Sequence, residues 1–160
     1  MAMTINTAGV AELSEMLSRV GDKAEEIASG SLYKGAGVVA DAFSAAVNSI
    51  RTEPFKYAYG GRKRLASPEE KAALQGKTGV AKFRKNGSEV DTIIGIGANA
   101  GYADIAGNSK AVRLIGRSIN SGTSFMVKQP VFRKAVSSSR GAAVAATVAR
   151  ADEMIRELTD

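Results

Sequence analysis

Histidine and cysteine are both absent from this sequence. That removes the commonest general base, the thiolate nucleophile and the usual zinc, copper and haem ligands. The acids Asp91, Asp104, Asp152 and Glu153 show no paired spacing suited to acid–base catalysis. The serines lack a histidine partner, no Gly-x-Ser-x-Gly elbow occurs, and nothing points to a Ser–Lys pair. The glycines between Gly97 and Gly107 resemble a phosphate loop only in composition, because no Gly-Lys-Ser/Thr follows them and no dinucleotide-type helix is predicted there. The residues therefore point away from an enzyme, and no cofactor or metal is expected.

Binding chemistry is better represented. Arg62, Lys63 and Arg64 follow the aromatics Phe55, Tyr57 and Tyr59, a combination that could contact a nucleic-acid backbone or stack on bases. The other reading of the same residues is a solvated loop whose aromatics pack on the domain. Lys82, Arg84 and Lys85 form a second basic group. Together these six are the candidate DNA-facing residues.

The elements that must position such groups belong to one domain over residues 1–160, the default for this length. A hydrophobic content of 44% and a charged content of 24% are those of an ordinary globular chain, large enough to fold without disulfides or metal. No membrane span or signal pattern is present. The net charge of +6 weakly favours anionic partners.

Met1 to Asn6 reads as a loose tail. Val10, Leu13, Leu17 and Val20 form the apolar stripe of a first helix, ended by Gly21. Asp22 with Glu25 suggests a capping box for a second helix reaching about Ser49. Its expected buried stripe is Ala28, Leu32, Ala36, Val39, Phe43, Val47 and Ile50. Gly30, Gly35 and Gly37 imply either a kink or the close approach of another helix, including one from a neighbouring subunit. Arg51 to Ala66 reads as an irregular link. Ser67-Pro68-Glu69-Glu70 is a helix start with serine as cap, proline in the first turn and Glu70 closing a capping box; the helix stops at Gly76.

Asn86-Gly87 then predicts a β-hairpin pairing Arg84 with Glu89, Lys82 with Asp91, Phe83 with Val90 and Ala81 with Thr92. The second strand continues through Ile93, Ile94 and Ile96. Residues 97–107 read as a flexible loop with Tyr102 and Ile105 tucked inward. After Pro130 an alanine-rich helix should reach about Leu158, with a bend near Ser137 to Gly141. Val144, Val148, Ala151, Ile155 and Leu158 make its clearest stripe. The expected fold class is α+β, with long N- and C-terminal helices packed on a small antiparallel sheet that contains the hairpin.

Residues 108–135 hold the most distinctive wording. Val112, Ile115 and Ile119 define one face of a short helix, with Arg113, Arg117 and Asn120 opposite, and Asn108 or Ser109 as its cap. Gly122 should turn the chain out of that helix through a left-handed conformation. An extended passage follows, and Pro130 opens the last helix. The run Gly122-Thr123-Ser124, Met126, Gln129-Pro130, Phe132-Arg133 and Ala135 resembles the signature of a tailed-phage neck family, the tail-component group named after the tenth gene product of a lambdoid phage. Asn120 and Ser121 replace the usual acidic and aromatic pair before the glycine, and Val127 and Lys134 stand where prolines are common.

The resemblance implies a structural virion protein of the head–tail junction, acting in head–tail joining or tail completion. It further implies a cyclic homo-oligomer, six-fold or twelve-fold, around the DNA channel. Partners would be other neck and tail proteins and, weakly and without sequence preference, the passing DNA. Arg117, Gly122, Thr123, Ser124, Met126, Gln129, Pro130, Phe132 and Arg133 are the motif and interface residues on this reading. The alternative is a small basic, non-specific DNA-binding protein.

Overall fold

Two long helices rich in alanine and other small residues dominate the structure. The computed structural model describes residues 8–54, 60–82, 84–86, 89–97, 101–103 and 109–159. Helix α1 spans Ala8–Asp22, and α2, Ala24–Asn48, follows after the single residue Lys23. Helix α3 spans Pro68–Leu74 and α4 spans Val112–Ser121. Helix α5, Val131–Thr159, is continuous over 29 residues, about 43 Å at 1.5 Å per residue. Between α3 and α4 lie six three-residue strands: β1 (Thr78–Val80), β2 (Arg84–Asn86), β3 (Glu89–Asp91), β4 (Ile94–Ile96), β5 (Gly101–Ala103) and β6 (Ser109–Ala111). They pair antiparallel as β1–β4, β2–β3 and β5–β6. The class is α+β, as expected.

Helices α2 and α5 run antiparallel. Gly30 lies against Met154, Gly35 against Ala143 and Thr147, and Phe43 stacks on Phe132 with ring centroids 5.2 Å apart. The glycines thus serve close approach by a helix of the same chain. A Cβ on Gly35 would collide with Thr147 Oγ1 and press on the Ala143 carbonyl, whereas Gly37 has open space beside it. The face of α2 turned inward is accordingly Ile27, Ser31, Gly35, Ala36, Ala46 and Val47. This corrects the expected stripe in part: Ala36, Val47 and Ile50 are buried as expected. Ala28 is exposed, while Leu32, Val39 and Phe43 are only half-buried. Helices at this separation bury their small residues and push the larger ones to the flank.

The core sits at one end, the base, where α3, α4 and the β1–β4 pair close over the C-terminal half of α2 and the start of α5. Leu74, Ile119, Val47 and Val112 are its largest fully buried side chains. The other end is an arm made of α1, the start of α2 and the end of α5. Here Leu13 and Leu17 on α1, and Val144, Val148 and Ile155 on α5, lie exposed. The stripes read from the sequence in these helices are therefore largely surface.

Three local expectations change. The cap of α2 is Lys23, without a side-chain cap bond, and Asp22 closes α1 instead of opening α2. Part of the supposed loop after Gly97 forms the β5–β6 pair, so a strand and not a cap precedes α4. The hairpin has another register. Arg84 lies opposite Asp91, Lys85 opposite Val90 and Asn86 opposite Glu89, and residues 87–88 lie outside the described residues. The neighbouring β1–β4 pair is a separate two-stranded sheet anchored on the helices. Ile96 packs on the core beneath Gly116, Ile94 pairs with Val80, and Thr78 bonds Ser44 of α2 through their hydroxyls at 2.8 Å. The β1–β4 and β2–β3 registers differ by one residue, and in the hairpin Arg84 faces Asp91 as an opposite-charge cross-strand pair.

Candidate functional site

The signature residues form a strap that ties α4, α5 and the segment after α2 into one unit. Helix α4 ends at Gly122, whose φ of +75° is left-handed and whose N–H bonds the Ser118 carbonyl at 2.8 Å. A side chain there would be strained by φ and would also meet Lys128 Cβ at 3.0 Å and its backbone at 3.2 Å. Thr123 folds the next turn. Its Oγ1 accepts from the N–H groups of Phe125 (3.3 Å) and Met126 (3.0 Å), and its own N–H bonds the Met126 carbonyl at 3.1 Å. Ser124 and Phe125 stand exposed at the tip of that turn, while Met126 drops into the core.

Beyond Met126 the strap becomes a strand-like rung. Arg64 donates its N–H to the Phe125 carbonyl at 2.9 Å, and the Val127 N–H returns to the Arg64 carbonyl at 2.8 Å, a parallel bridge. Gln129 continues it with its side chain. Its Oε1 accepts from the Arg51 N–H at 2.9 Å and its Nε2 donates to the Arg51 carbonyl at 3.0 Å, so the amide imitates a peptide group opposite residue 51. The Gln129 backbone N–H bonds the Ile119 carbonyl at 2.8 Å, and the residue is buried. Pro130 precedes α5 and its carbonyl accepts from Lys134 N–H. Phe132 is buried on Phe43, and Arg133 is exposed with its backbone N–H capped by Asn120 Oδ1 at 3.4 Å. Arg117 is exposed on the outer face of α4. The structure thus brings the signature together as a brace with Arg117 and Arg133 beside it.

The basic trio does not stay together. Arg64 is buried, and its guanidinium binds Glu70 through two 2.7 Å bonds, with a further bond to the Leu65 carbonyl. Glu70 also accepts from Ser67 N–H at 2.9 Å while Ser67 Oγ accepts from Glu70 N–H, the capping box read from the sequence. Arg64 is therefore corrected from a DNA-facing candidate to an internal tie between the strap and α3. Such fork-to-carboxylate geometry is what arginine does best in low dielectric. Arg62, Lys63, Lys82 and Arg84 are exposed; the Lys85 side chain and the aromatics Phe55, Tyr57 and Tyr59 lie outside the described positions.

Sequence reading missed three contributors to the brace. Glu53 accepts from Leu65 N–H at 2.6 Å, and Glu53 N–H bonds the Ala66 carbonyl at 2.9 Å. Lys71 reaches the Asn48 and Ile50 carbonyls at the end of α2, where a cation also meets the negative pole of the helix. Asn120 caps α5 from another helix. None has a sequence-local partner, so no spacing rule could have flagged them. Among the described residues no group of three or more His, Cys, Asp or Glu comes together to hold a metal ion. No described helix is long and apolar enough to cross a membrane. Comparison with known family models, with curated proteins and with solved structures returns no match.

Proposed function

We propose that this chain is a structural virion protein of the phage head–tail junction, assembling as a ring of identical copies around the DNA channel. The observation that carries the reading is the use made of the signature residues. Gly122, Thr123, Met126, Gln129, Pro130 and Phe132 form a brace with no reactive group presented by it. That is the role expected of a motif that fixes shape in an assembly component.

The arm supports self-association. Leu13 and Leu17 stand one turn apart on α1, Val144 and Val148 one turn apart on α5, and all four are exposed. A second copy is the occupant that would bring these matched stripes together in a head-to-tail contact, and such contacts close into rings when the rotation permits. A six-fold or twelve-fold ring, contact with other neck and tail proteins, and a place in the virion all follow from the resemblance of the Gly122–Ala135 run. The reading as a small DNA-binding protein loses Arg64, one of the three cations of its first basic group.

The test is localisation. Virions carrying a tagged copy of this chain should show the label at the neck in electron micrographs, in multiple copies on one ring. A label absent from virions, or confined to the capsid shell, contradicts the proposal.

A further inference from the structure

The charges of this chain are segregated. Residues 105–151 contain eight lysines and arginines and no aspartate or glutamate, which leaves 14 of the 22 cations and all 16 acids to the rest. The net positive charge of the whole molecule is thus concentrated in α4, the strap and most of α5. Soluble surfaces ordinarily intersperse both signs, and a one-signed field is the form that attracts a counter-charged partner.

The fold gathers part of this charge on one face. Arg113 and Arg117 are a turn apart on the side of α4 opposite the buried Val112, Ile115 and Ile119. Asn120 continues that row and its side chain holds the Arg133 backbone, which sets Arg133 at the end of the row. Lys128 packs its Cβ and backbone beside Gly122. Arg62 and Lys63 lead into the rung that joins Arg64 to Met126, at the rim of the same strap. All six are exposed, and among the described residues none makes an ion pair. The hairpin differs, since Arg84 lies opposite Asp91.

We propose that the outer face of α4, rimmed by Lys128, Arg133, Arg62 and Lys63, binds the phosphate backbone of nucleic acid without reading sequence. The inference rests on the neck reading for the identity of the polyanion, since DNA is what that reading places beside the chain. Four of the six are arginines, whose planar fork matches phosphate oxygens. The only large apolar side chains exposed on α4 and the strap, Leu114 and Phe125, do not make the apolar centre of a protein interface. The face carries scattered cations and, among the described residues, no groove-sized projecting element, so contact with backbone charge is what it offers.

The experiment is fluorescence anisotropy of two unrelated DNA duplexes titrated with the full-length protein over a series of salt concentrations. Wild type should bind both alike, with Kd on the order of 10⁻⁴ to 10⁻⁶ M at physiological salt. The Arg113→Gln/Arg117→Gln variant should weaken binding to both duplexes equally and reduce the slope of log K against log salt by about two. Lys82→Gln/Arg84→Gln should leave binding and slope unchanged. Circular dichroism melting of each variant confirms that it is folded; a second pair, Lys128→Gln/Arg133→Gln, should lower the slope in the same way. Unchanged slopes in both α4-side variants, or losses only in the hairpin variant, overturn the proposal. Polyglutamate that binds wild type as tightly as DNA, and loses the same affinity in the α4 variant, also overturns it in favour of an acidic protein. Virion localisation separates the two claims: a neck-located protein that ignores DNA sinks this face alone, and a DNA binder absent from virions sinks the neck reading.

Discussion

The base and the arm of this molecule are stabilised in different ways. At the base, Leu74, Ile119, Val47 and Val112 are fully buried, and each helix end that meets the core has a partner: Ser67 for α3, Lys71 for α2, Asn120 for α5. In the arm the buried residues are Ile27, Ser31, Gly35 and Ala36, and Ser31 Oγ is buried without a hydrogen-bond partner. Charge pairs there are exposed and local, as Lys23 with Glu26 and Arg150 with Glu153. Hydrogen bonding to those carboxylates raises the pKa of Lys23 and of Arg150, but exposed pairs of this kind add little to stability. The base buries its larger apolar side chains, whereas the arm carries them on the outside. The difference places stability at the base, and the ring proposed above would use the arm for association.

The comparison breaks first at Arg64. Its ion pair with Glu70 leaves the two side chains only 10% and 14% exposed. Arg64→Ala strands a carboxylate between α3 and the strap and should cost about 3–5 kcal/mol. Chemical denaturation checks this; a loss below about 1 kcal/mol would show that the base does not depend on the tie. Gln129→Leu removes both partners of the Arg51 peptide group at a buried position and should cost about 2–4 kcal/mol. Hydrogen exchange at the Arg51 amide should accelerate in that variant ahead of the core amides.

Smaller effects distinguish the regions further. Gly122→Val forces a β-branched residue into a left-handed conformation and into contact with Lys128, at about 1–3 kcal/mol. An unchanged melting temperature would mean that the strap tolerates another path. Gly35→Ala sets a methyl group against Thr147 and the Ala143 carbonyl, and separating the helices there should cost about 1–2 kcal/mol. Its signature is regional: exchange should rise on both sides of the α2–α5 seam in the arm, with the amides around Ile119 and Leu74 little changed.

Features whose physics is local were legible in the sequence. Ser67-Pro68 and Glu70 supply every atom of a capping box, and a glycine was needed at Gly122 because its φ is positive. The base face of α4 was legible too, since Val112, Ile115 and Ile119 stand on one side of a short helix with no competing stripe. Features decided at a distance were not. The hairpin pairs Arg84 with Asp91 and not with Glu89, a register that the Asn-Gly signal did not give. Arg64 read as a surface cation because its partner already had a local role in the cap. The inward face of α2 was legible in part, since Ala36 and Val47 are buried and Gly30 and Gly35 do mark a close helix, whereas the stripe read on α5 lies largely at the surface, its buried residues being Phe132, Ala135 and Ser139. In the candidate site, the spacing of Gly122 to Phe132 located the strap, but only coordinates could show Gln129 acting as a peptide group toward Arg51.

The division of labour between base and arm is tested most directly by sedimentation velocity of wild type and a Leu17→Glu/Val148→Glu double variant over a wide concentration range. Both positions are more than half exposed, so the variant should keep its monomer melting temperature within a few degrees. Wild type is predicted to form a defined multimer at high concentration and the variant to remain monomeric throughout. A variant that assembles as well as wild type, or a wild type that stays monomeric both alone and when mixed with neck components, would contradict the assignment of the arm to association.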